Sequence, residues 1–520
     1  MKAPSRAHPV RFALTHLTKA ALLVVTLAGA RAQDATPTPS KLTAARVQEL
    51  VQAAGTEYGV TGLAVAVVQD KAILAEVAYG EAAAGKPMTV KTLTNIASCS
   101  KAFTATAVAM CVEDKLLAWD DLVIDHLPEF RMSDPWITAH MTIRDLLCHR
   151  CGLATFAGDL LWYGSSYDDD EVIRRLAKLP ITQPFRGKFG YQNLMYLVAG
   201  KVIERKTGQT WSDFVQKRIL TQLGMNQSRP DAQSVSTDAD RALPHIDGKV
   251  VKDHVFEACK PAASIYSSAH ELTIWMRALM AGGAWKGKRL ISPASLIEMW
   301  RPHINTAPNG SASRTDDFAS YGLGWFLTID RGNKVVEHDG GMPGFLSKVS
   351  MIPGKRFGFV LLNNGNDGIV NEALKRALYA EYAGEDGMKI LKRIAGIKQR
   401  IDANAAAAVK QRESKRREGT SPSHDLKHFA GDYEDEIYGG AKVTLNDGEL
   451  SLVLVPAKDR IYGKMKHWHD NTFRVDFPDT FLPFALVSFK LDSQSNIASF
   501  KIDCPIADFD FGALDFLRKS

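Results

Sequence analysis

The sequence of 520 residues predicts an α/β (α+β) domain followed by a small C-terminal all-β barrel. Three observations lead to this prediction. Residues 42–385 mix apolar runs at helical spacing with short strand-like runs. Residues 388–418 are rich in Lys, Arg, Ala and Gln, which predicts a charged helical linker over 386–424. In residues 425–520 the apolar period changes to two, as it does in strands.

Within residues 42–385 the predicted elements alternate in kind. The segment 45–57 has a helical apolar pattern, and the runs 62–68 and 72–79 predict a hairpin. The segment 98–114 is apolar enough to be a buried helix. Three antiparallel strands and a helix are expected near the end of the domain, at 334–339, 345–352, 357–363 and 368–383.

Residues 425–520 contain short strand-like runs at regular spacing, which is typical of a small closed barrel. Asn446-Asp447-Gly448 is a hairpin turn signal between the first two runs. The runs lie at 441–445, 450–455, 460–466, 472–477, 484–491 and 497–502.

The first 32 residues are typical of a secretory signal peptide, and 33–41 form a polar linker. Basic residues precede a short apolar run at 20–30, and Ala30-Arg31-Ala32 is a small-x-small cleavage site. The run is shorter than the roughly 20 apolar residues that a membrane span needs. The pattern predicts a periplasmic or secreted protein without a stable membrane span after cleavage; an uncleaved N-terminal anchor would have the same basic start.

The net charge gives no electrostatic case for a nucleic-acid partner. The formal charge is +6, but the signal segment holds five basic residues and no acid, so the mature chain carries about +1. Its six cysteines are too few for a disulfide framework in so long a chain. Whether Cys148 and Cys151 pair stays open. Cys148-His149-Arg150-Cys151 lacks a second ligand pair, so a metal is not expected there. No other cofactor is expected either.

The strongest catalytic signal is Ser98-Cys99-Ser100-Lys101, at the head of the predicted buried helix. Positions i and i+3 share a helix face, so Ser98 Oγ and Lys101 Nζ can meet. A serine hydroxyl needs a base to become a nucleophile. Lysine can be that base only when burial or nearby positive charge lowers its pKa. The backbone N–H of Ser98 at the helix start is free to bind an oxyanion.

Two further motifs carry suitable groups. The Tyr191 hydroxyl can relay a proton, and the Asn193 amide can hydrogen-bond both a substrate carbonyl and the lysine. His338-Asp339-Gly340-Gly341 lies at a strand start, where Gly340 and Gly341 would let a substrate backbone approach closely.

These three motifs, in this order, resemble the family that contains class C β-lactamases, D,D-peptidases, D-aminopeptidases and class C-like esterases. The resemblance spans about residues 42–385 and includes the non-catalytic stretches 142–153, 321–325 and 338–345. It implies a central antiparallel sheet flanked by helices, with an all-helical subdomain between the halves of the sheet.

The resemblance also implies a role for each motif. Ser98 would be the acylated nucleophile, with Lys101 and Tyr191 sharing general-base and general-acid duty. Asn193 would orient substrate and His338 would line the site. The N–H groups of Ser98 and Gly341 would form the oxyanion hole.

The C-terminal region resembles small lipocalin-like barrels that follow some of these hydrolases, including self-associating peptidases. The resemblance lies in Gly431-Asp432-Tyr433, Asp447-Gly448-Glu449-Leu450 and His467-Trp468-His469-Asp470. It leaves room for a homo-oligomer formed through the barrel.

His338 bears on the substrate. Many β-lactamases of this family have Lys-Thr-Gly at this motif, where the lysine meets the substrate carboxylate. Histidine is mostly neutral at pH 7, and it is usual here in the peptidases and esterases. Arg186 or Lys348 could supply the missing charge instead. Phe156, Trp162 and Tyr163 lie where the family has its site-covering loop, and they either bind an apolar substrate or pack.

The favoured function is therefore a peptidase or amidohydrolase that acts through an acyl-enzyme on peptides with D- or unusual residues. Linearised cyclic peptides such as microcystin are a narrower substrate class within this function. The motifs are also compatible with a carboxylesterase, a β-lactamase, or a catalytically silent penicillin-binding or sensing protein. The partner expected in the enzymatic cases is a peptide or a small amide or ester.

The signal peptide gives the first testable prediction. Cleavage after Ala30-Arg31-Ala32 should leave a mature chain that begins at Gln33. N-terminal sequencing of the protein from its native host measures this directly. Soluble cytoplasmic protein that retains Met1 would contradict the prediction.

Overall fold

The computed structural model describes residues 42–256, 258–306 and 318–519. The predicted signal peptide (1–32) and linker (33–41) lie outside these residues. In the part of the chain that is described, no helix is both long and apolar enough to cross a membrane.

A large antiparallel sheet forms the centre of the first domain, as the resemblance implied. Counted over the described residues it has nine strands, and the N-terminal hairpin lies beside the last strand of the domain. In spatial order the strands are Ile304–Asn305, Ser320–Tyr321, Phe326–Asp330, Asn333–Met342, Phe345–Ile352, Phe357–Asn363, Gly62–Gln69, Ala72–Ala83 and Lys86–Pro87.

The strand Gly62–Gln69 shows how the sheet is covered on both faces. Its side chains alternate between Leu63, Val65 and Val67 on one face and small residues such as Ala64 on the other, and residues 63–68 are all buried. The larger side chains pack on the helices Ala44–Tyr58 and Ile369–Tyr382, whereas the smaller ones belong to the core that contains the segment around Ser98.

The helices between the two halves of the sheet form the predicted helical part of the domain. Those within residues 100–299 are Ser100–Glu113, Val123–His126, Pro135–His140, Ile143–Leu147, Asp169–Leu176, Leu194–Thr207, Trp211–Val215, Thr221–Leu223, Lys260–Ala263, Ala269–Met280 and Pro293–Met299. Short strand pairs join Thr94–Asn95 to Tyr266–Ser267, His245–Ile246 to Lys249–Val250 and Ala284–Trp285 to Lys288–Arg289.

The prediction of one helix from residue 98 is wrong in its first turn. Ala97–Cys99 form a 3₁₀ turn, and the α-helix, here called the nucleophile helix, runs over Ser100–Glu113. Ala97 has φ +44°, a left-handed conformation that an L-residue adopts only under constraint. The constraint separates Ser98 from the regular helix.

The second domain is a closed antiparallel barrel, as predicted. Its strands, all described, are Gly431–Asp435, Gly439–Asn446, Glu449–Leu454, Tyr462–His469, Thr472–Val475, Ala485–Leu491, Ile497–Asp503 and Phe516–Arg518. The sequence patterns missed the first and last of these. Gly431–Asp435 is rich in acids and Phe516–Arg518 has three residues, so neither shows a recognisable period of two.

One long helix, Gly387–Glu413, occupies the first part of the segment 386–424 between the two domains. Its first half buries Leu391 and Ile394 against the catalytic domain. Near its end, Arg412 donates hydrogen bonds to the carbonyls of Phe484 and Asp503 in the barrel. The linker is therefore packed against both domains.

Candidate active site

Ser98 is held in the strained turn before the nucleophile helix. The Ala97 N–H donates to Asn95 Oδ1 at 2.6 Å, and the Ile96 N–H donates to the Ile265 carbonyl at 2.9 Å. The flanking residues Ala97 and Cys99 are buried, whereas Ser98 is only half-buried. Strained backbone of this kind persists where the surroundings over-determine it, and here it presents one hydroxyl at the surface of the core.

The Lys101 amine lies beside Ser98, as the i, i+3 spacing predicted. Lys101 Nζ is 3.0 Å from Ser98 Oγ, 2.6 Å from Asn193 Oδ1 and 3.1 Å from the carbonyl oxygen of Ala262. The lysine side chain is fully buried. The structure thus brings Ser98, Lys101 and Asn193 together from two different helix starts.

Burial lowers the pKa of Lys101 to about 7, because the charged ammonium loses its hydration. A neutral amine has two N–H groups and one lone pair. Asn193 Oδ1 and the Ala262 carbonyl are acceptors only, so they take the two N–H groups. The lone pair of neutral Lys101 is then left facing the Ser98 hydroxyl.

Asp159 is a site residue that the sequence analysis missed. Its Oδ2 accepts a hydrogen bond from Asn193 Nδ2 at 2.6 Å, and its Oδ1 accepts one from Trp162 Nε1 at 3.0 Å. This arrangement fixes the Asn193 amide with its oxygen toward Lys101. Burial raises the pKa of Asp159 to about 7. The sequence did contain a signal for a buried carboxylate, because Asp159 directly precedes the apolar run Leu160-Leu161-Trp162.

Tyr191 lies beside both Lys101 and Ser98. Lys101 Nζ is 4.8 Å from the centre of its ring. Burial raises the pKa of Tyr191 well above its usual value, and a hydrogen bond with Ser98 opposes this shift. The phenol is therefore protonated at neutral pH.

His149 holds the Tyr191 motif in place. Its Nδ1 accepts the Gln192 N–H at 3.0 Å, its carbonyl accepts the Gly190 N–H at 2.9 Å, and its ring centre is 4.2 Å from that of Tyr191. Burial lowers the pKa of His149, so the ring is neutral.

His338 lies beneath the site, and both of its ring nitrogens are bonded within the protein. Nδ1 is 2.6 Å from the Asp339 carbonyl, an acceptor, so Nδ1 carries the proton. Nε2 then accepts from the Tyr321 hydroxyl at 2.8 Å. Burial lowers the pKa of His338 to about 3, so it is a neutral residue in the wall of the site.

Gly340 and Gly341 lie on the same strand, Asn333–Met342, which runs alongside the nucleophile turn. A Cβ at Gly340 would lie 2.3 Å from the Ile96 carbonyl oxygen and 2.2 Å from Ser347 Oγ. Protein atoms already fill that space, so Gly340 serves the packing of the strand on the turn. The oxyanion role of the Gly341 N–H stays a prediction.

The two cations that could have replaced a lysine at the third motif are paired elsewhere. Lys348, 4% exposed at its side chain, forms an ion pair with Asp339 and lies 3.8 Å from Glu372. Arg186 Nη2 pairs with the buried Asp145 at 2.6 Å. Both charges are therefore already balanced by acids of the protein rather than held ready for a substrate carboxylate.

All six cysteines lie in the described residues and are free and buried, which answers the question left open for Cys148 and Cys151. Burial raises the thiol pKa of both residues. Across the described residues, no group of three or more His, Cys, Asp or Glu side chains could hold a metal ion.

The sheet, the helical part and this constellation define a hydrolase of the β-lactamase fold. The family model for beta-lactamase matches residues 47–384, and the chain belongs to this family. Residues 415–518 match a domain of unknown function, DUF3471, which covers the barrel.

Named relatives include several kinds of hydrolase. The chain is 28% identical over 443 residues to the unguisins hydrolase of Aspergillus violaceofuscus, covering 77% of each chain. It is 34% identical over 229 residues to an esterase of Burkholderia gladioli, covering 40% of this chain and 55% of the esterase. The structure of an octameric penicillin-binding protein homologue from Pyrococcus abyssi superposes with TM-score 0.58 at 18% identity, covering 91% of this chain and 99% of that one. The last likeness concerns the fold alone.

The packing of Gly340 gives the second prediction. In Gly340→Ala the new methyl group must displace Ile96, two residues before Ser98, so kcat should fall by roughly tenfold or more. Steady-state kinetics and thermal unfolding measure the effect. Gly354→Ala is the matched control, because a Cβ there has no heavy atom within 4 Å. A Gly340→Ala enzyme with unchanged kcat would contradict the packing role of this glycine.

Proposed function

We propose that the chain is an exported serine hydrolase that forms an acyl-enzyme on Ser98 and acts as a peptidase or amidohydrolase. The observation that carries the proposal is the set of Lys101 contacts. A buried amine whose two N–H groups are held by Asn193 and Ala262 keeps its lone pair for Ser98. A structural lysine would have no need of this arrangement.

In the proposed acylation step, neutral Lys101 takes the proton of Ser98 as Oγ attacks the substrate carbonyl carbon. The negative charge that develops on the carbonyl oxygen is bound by the N–H groups of Ser98 and Gly341. Tyr191 then gives its proton to the leaving nitrogen and regains one from the Lys101 ammonium. Its raised pKa keeps that proton available at neutral pH. Water attacks the ester in the second half-reaction, with the proton transfers reversed.

Substrate class follows from the third motif. A β-lactam carries a carboxylate that a charged lysine would bind, and a charge-assisted hydrogen bond is roughly twice as strong as a neutral one. His338 is neutral with both nitrogens occupied, and Lys348 is paired with Asp339. These contacts favour amides that lack this carboxylate, and we propose peptides with D- or otherwise unusual residues, including linearised cyclic peptides.

A carboxylesterase is the second candidate. The esterase of Burkholderia gladioli, at 34% identity over 229 residues, supports it. An ester would acylate Ser98 by the same steps as an amide. Its alcohol leaves more readily than an amine, so the ester depends less on proton donation by Tyr191. A β-lactamase and a silent penicillin-binding protein are outcomes that the substrate and labelling experiments would reveal.

The third prediction concerns the nucleophile. Ser98→Ala should lower turnover by roughly 10³-fold or more, because no acyl-enzyme can form. After reaction with a fluorophosphonate or a slow substrate, mass spectrometry of digested protein should locate the adduct on Ser98.

Ser100→Ala is the matched control in the same turn. Ser100 is fully buried, and its Oγ accepts the Ile265 N–H at 3.1 Å. Its loss should lower the free energy of unfolding by about 1 kcal/mol and leave the adduct in place. An adduct on Ser100, or full activity in Ser98→Ala, would overturn the assignment.

The fourth prediction compares substrates on one preparation. Penicillins should acylate Ser98 slowly and act as weak inhibitors, whereas aminoacyl amides or short-chain esters should give a higher kcat/KM than nitrocefin. A panel of D- and L-aminoacyl amides and p-nitrophenyl esters decides between peptidase and esterase. If nitrocefin is favoured by about tenfold or more, a difference of about 1.4 kcal/mol in transition-state stabilisation, the protein is a β-lactamase.

A further inference from the structure

The barrel contacts several segments of the catalytic domain, and one of them, residues 158–167, leads to the candidate active site. Hydrogen bonds join this segment to the barrel. The Tyr163 hydroxyl donates to Asp479 at 2.8 Å, the Ser166 N–H to the Pro456 carbonyl at 2.8 Å and the Tyr167 hydroxyl to the Tyr438 carbonyl at 3.4 Å. The core of the barrel is continuous with that of the catalytic domain.

Two glycines let this interface close tightly. Gly164 has φ +63°, and a Cβ there would lie 2.5 Å from Arg460 Cδ in the barrel. Gly439, in the barrel, has φ +92°, and its Cβ would lie 2.3 Å from the Tyr167 hydroxyl oxygen. A Cβ at either position would have to displace the Arg460 or the Tyr167 side chain, so the segment packs closely against the barrel at both points.

The same segment, residues 158–167, is connected to Lys101 through side-chain contacts. The barrel residue Phe509 packs its ring centre 4.0 Å from that of Tyr163 and 6.4 Å from that of Trp162. Trp162 Nε1 donates to Asp159, which in turn orients Asn193 and thereby Lys101. Trp162 and Tyr163, which the sequence placed in a site-covering loop, therefore pack against the barrel.

Asp508, beside Phe509, lowers the stability of the fold if its only role is structural. Its carboxylate is buried, and neither oxygen has a hydrogen-bond partner among the described residues. A buried polar group without partners destabilises a fold. Burial raises the pKa of Asp508 to about 7, and a negative charge at Asp508 would add to the effect of burial in raising the pKa of Asp159.

We propose that the C-terminal barrel is a positioning element of the active site, in which Phe509 holds Trp162 and through it Asp159, Asn193 and Lys101. The inference rests on the proposed function, because it assigns the barrel a part in the acylation of Ser98. Phe509 and Asp159 are then positioning residues, since neither touches the reacting atoms.

The test measures how fast a fluorophosphonate labels Ser98 in the full-length protein. Phe509→Ala removes the ring against Tyr163 and Trp162, so kinact should fall by roughly tenfold, while KI changes by less than about twofold. Phe484→Ala is the matched control. Phe484 lies against Arg412 and Arg474 on the linker side of the barrel, and its loss should leave kinact unchanged.

A double-mutant cycle with Asp159→Ala identifies the route of the effect. If the barrel acts through Asp159, Phe509→Ala should lower kinact by less than about twofold in the Asp159→Ala background. Because the Asp159→Ala variants are themselves expected to react slowly with the fluorophosphonate, their labelling is followed over hours. Should Phe509→Ala fail to fold, Tyr163→Phe, which removes only the hydroxyl bonded to Asp479, takes its place in the cycle.

Two results would overturn the proposal: equal kinact in wild type and Phe509→Ala, or the same loss in both backgrounds. Both presuppose that the wild type is labelled on Ser98. Failure of the proposed function is a separate outcome, since the wild-type adduct would then be absent from Ser98 or Ser98→Ala would remain active.

Discussion

The Lys101 amine is buried between two acceptors, Asn193 Oδ1 and the Ala262 carbonyl, and the chemistry of the site depends on this one arrangement. Burial lowers its pKa from 10.5 to about 7, which corresponds to a penalty on the order of 5 kcal/mol against the protonated form. The two acceptors do more than satisfy the amine. Because they accept the two N–H groups of the neutral amine, its lone pair can point only toward Ser98.

The surrounding structure keeps this geometry from relaxing. Asp159 and Trp162 fix the Asn193 amide from one side, and the left-handed Ala97 presents the Ser98 hydroxyl from the other. Gly340 lets the neighbouring strand pack directly against the turn. His338 and Tyr321 bond to each other beneath the site, so they stabilise its wall without adding charge. A neutral site wall of this kind agrees with the uncharged amide or ester substrates that we propose.

Local rules account for the parts that the sequence predicted. The i, i+3 spacing placed Lys101 beside Ser98, and the short apolar runs at 62–68 and 72–79 predicted the N-terminal hairpin. The resemblance to known motifs predicted that Tyr191, Asn193 and His338 lie in the same site as Ser98. Asp159 was missed because its role depends on a contact with Asn193, 34 positions along the chain. The packing role of Gly340 depends on Ile96, from a distant segment, and no local pattern encodes such a contact.

The most direct test is the pKa of Lys101 itself. In protein labelled with ¹³C at lysine Cε, the Lys101 resonance is the one absent from Lys101→Met, and its chemical shift can be followed with pH. The buried amine predicts a midpoint at about 7, with the lysine neutral on the alkaline side. A midpoint near the ordinary value of 10.5 would mean that Lys101 is a cation at neutral pH, and it would contradict the assignment of this residue as the base.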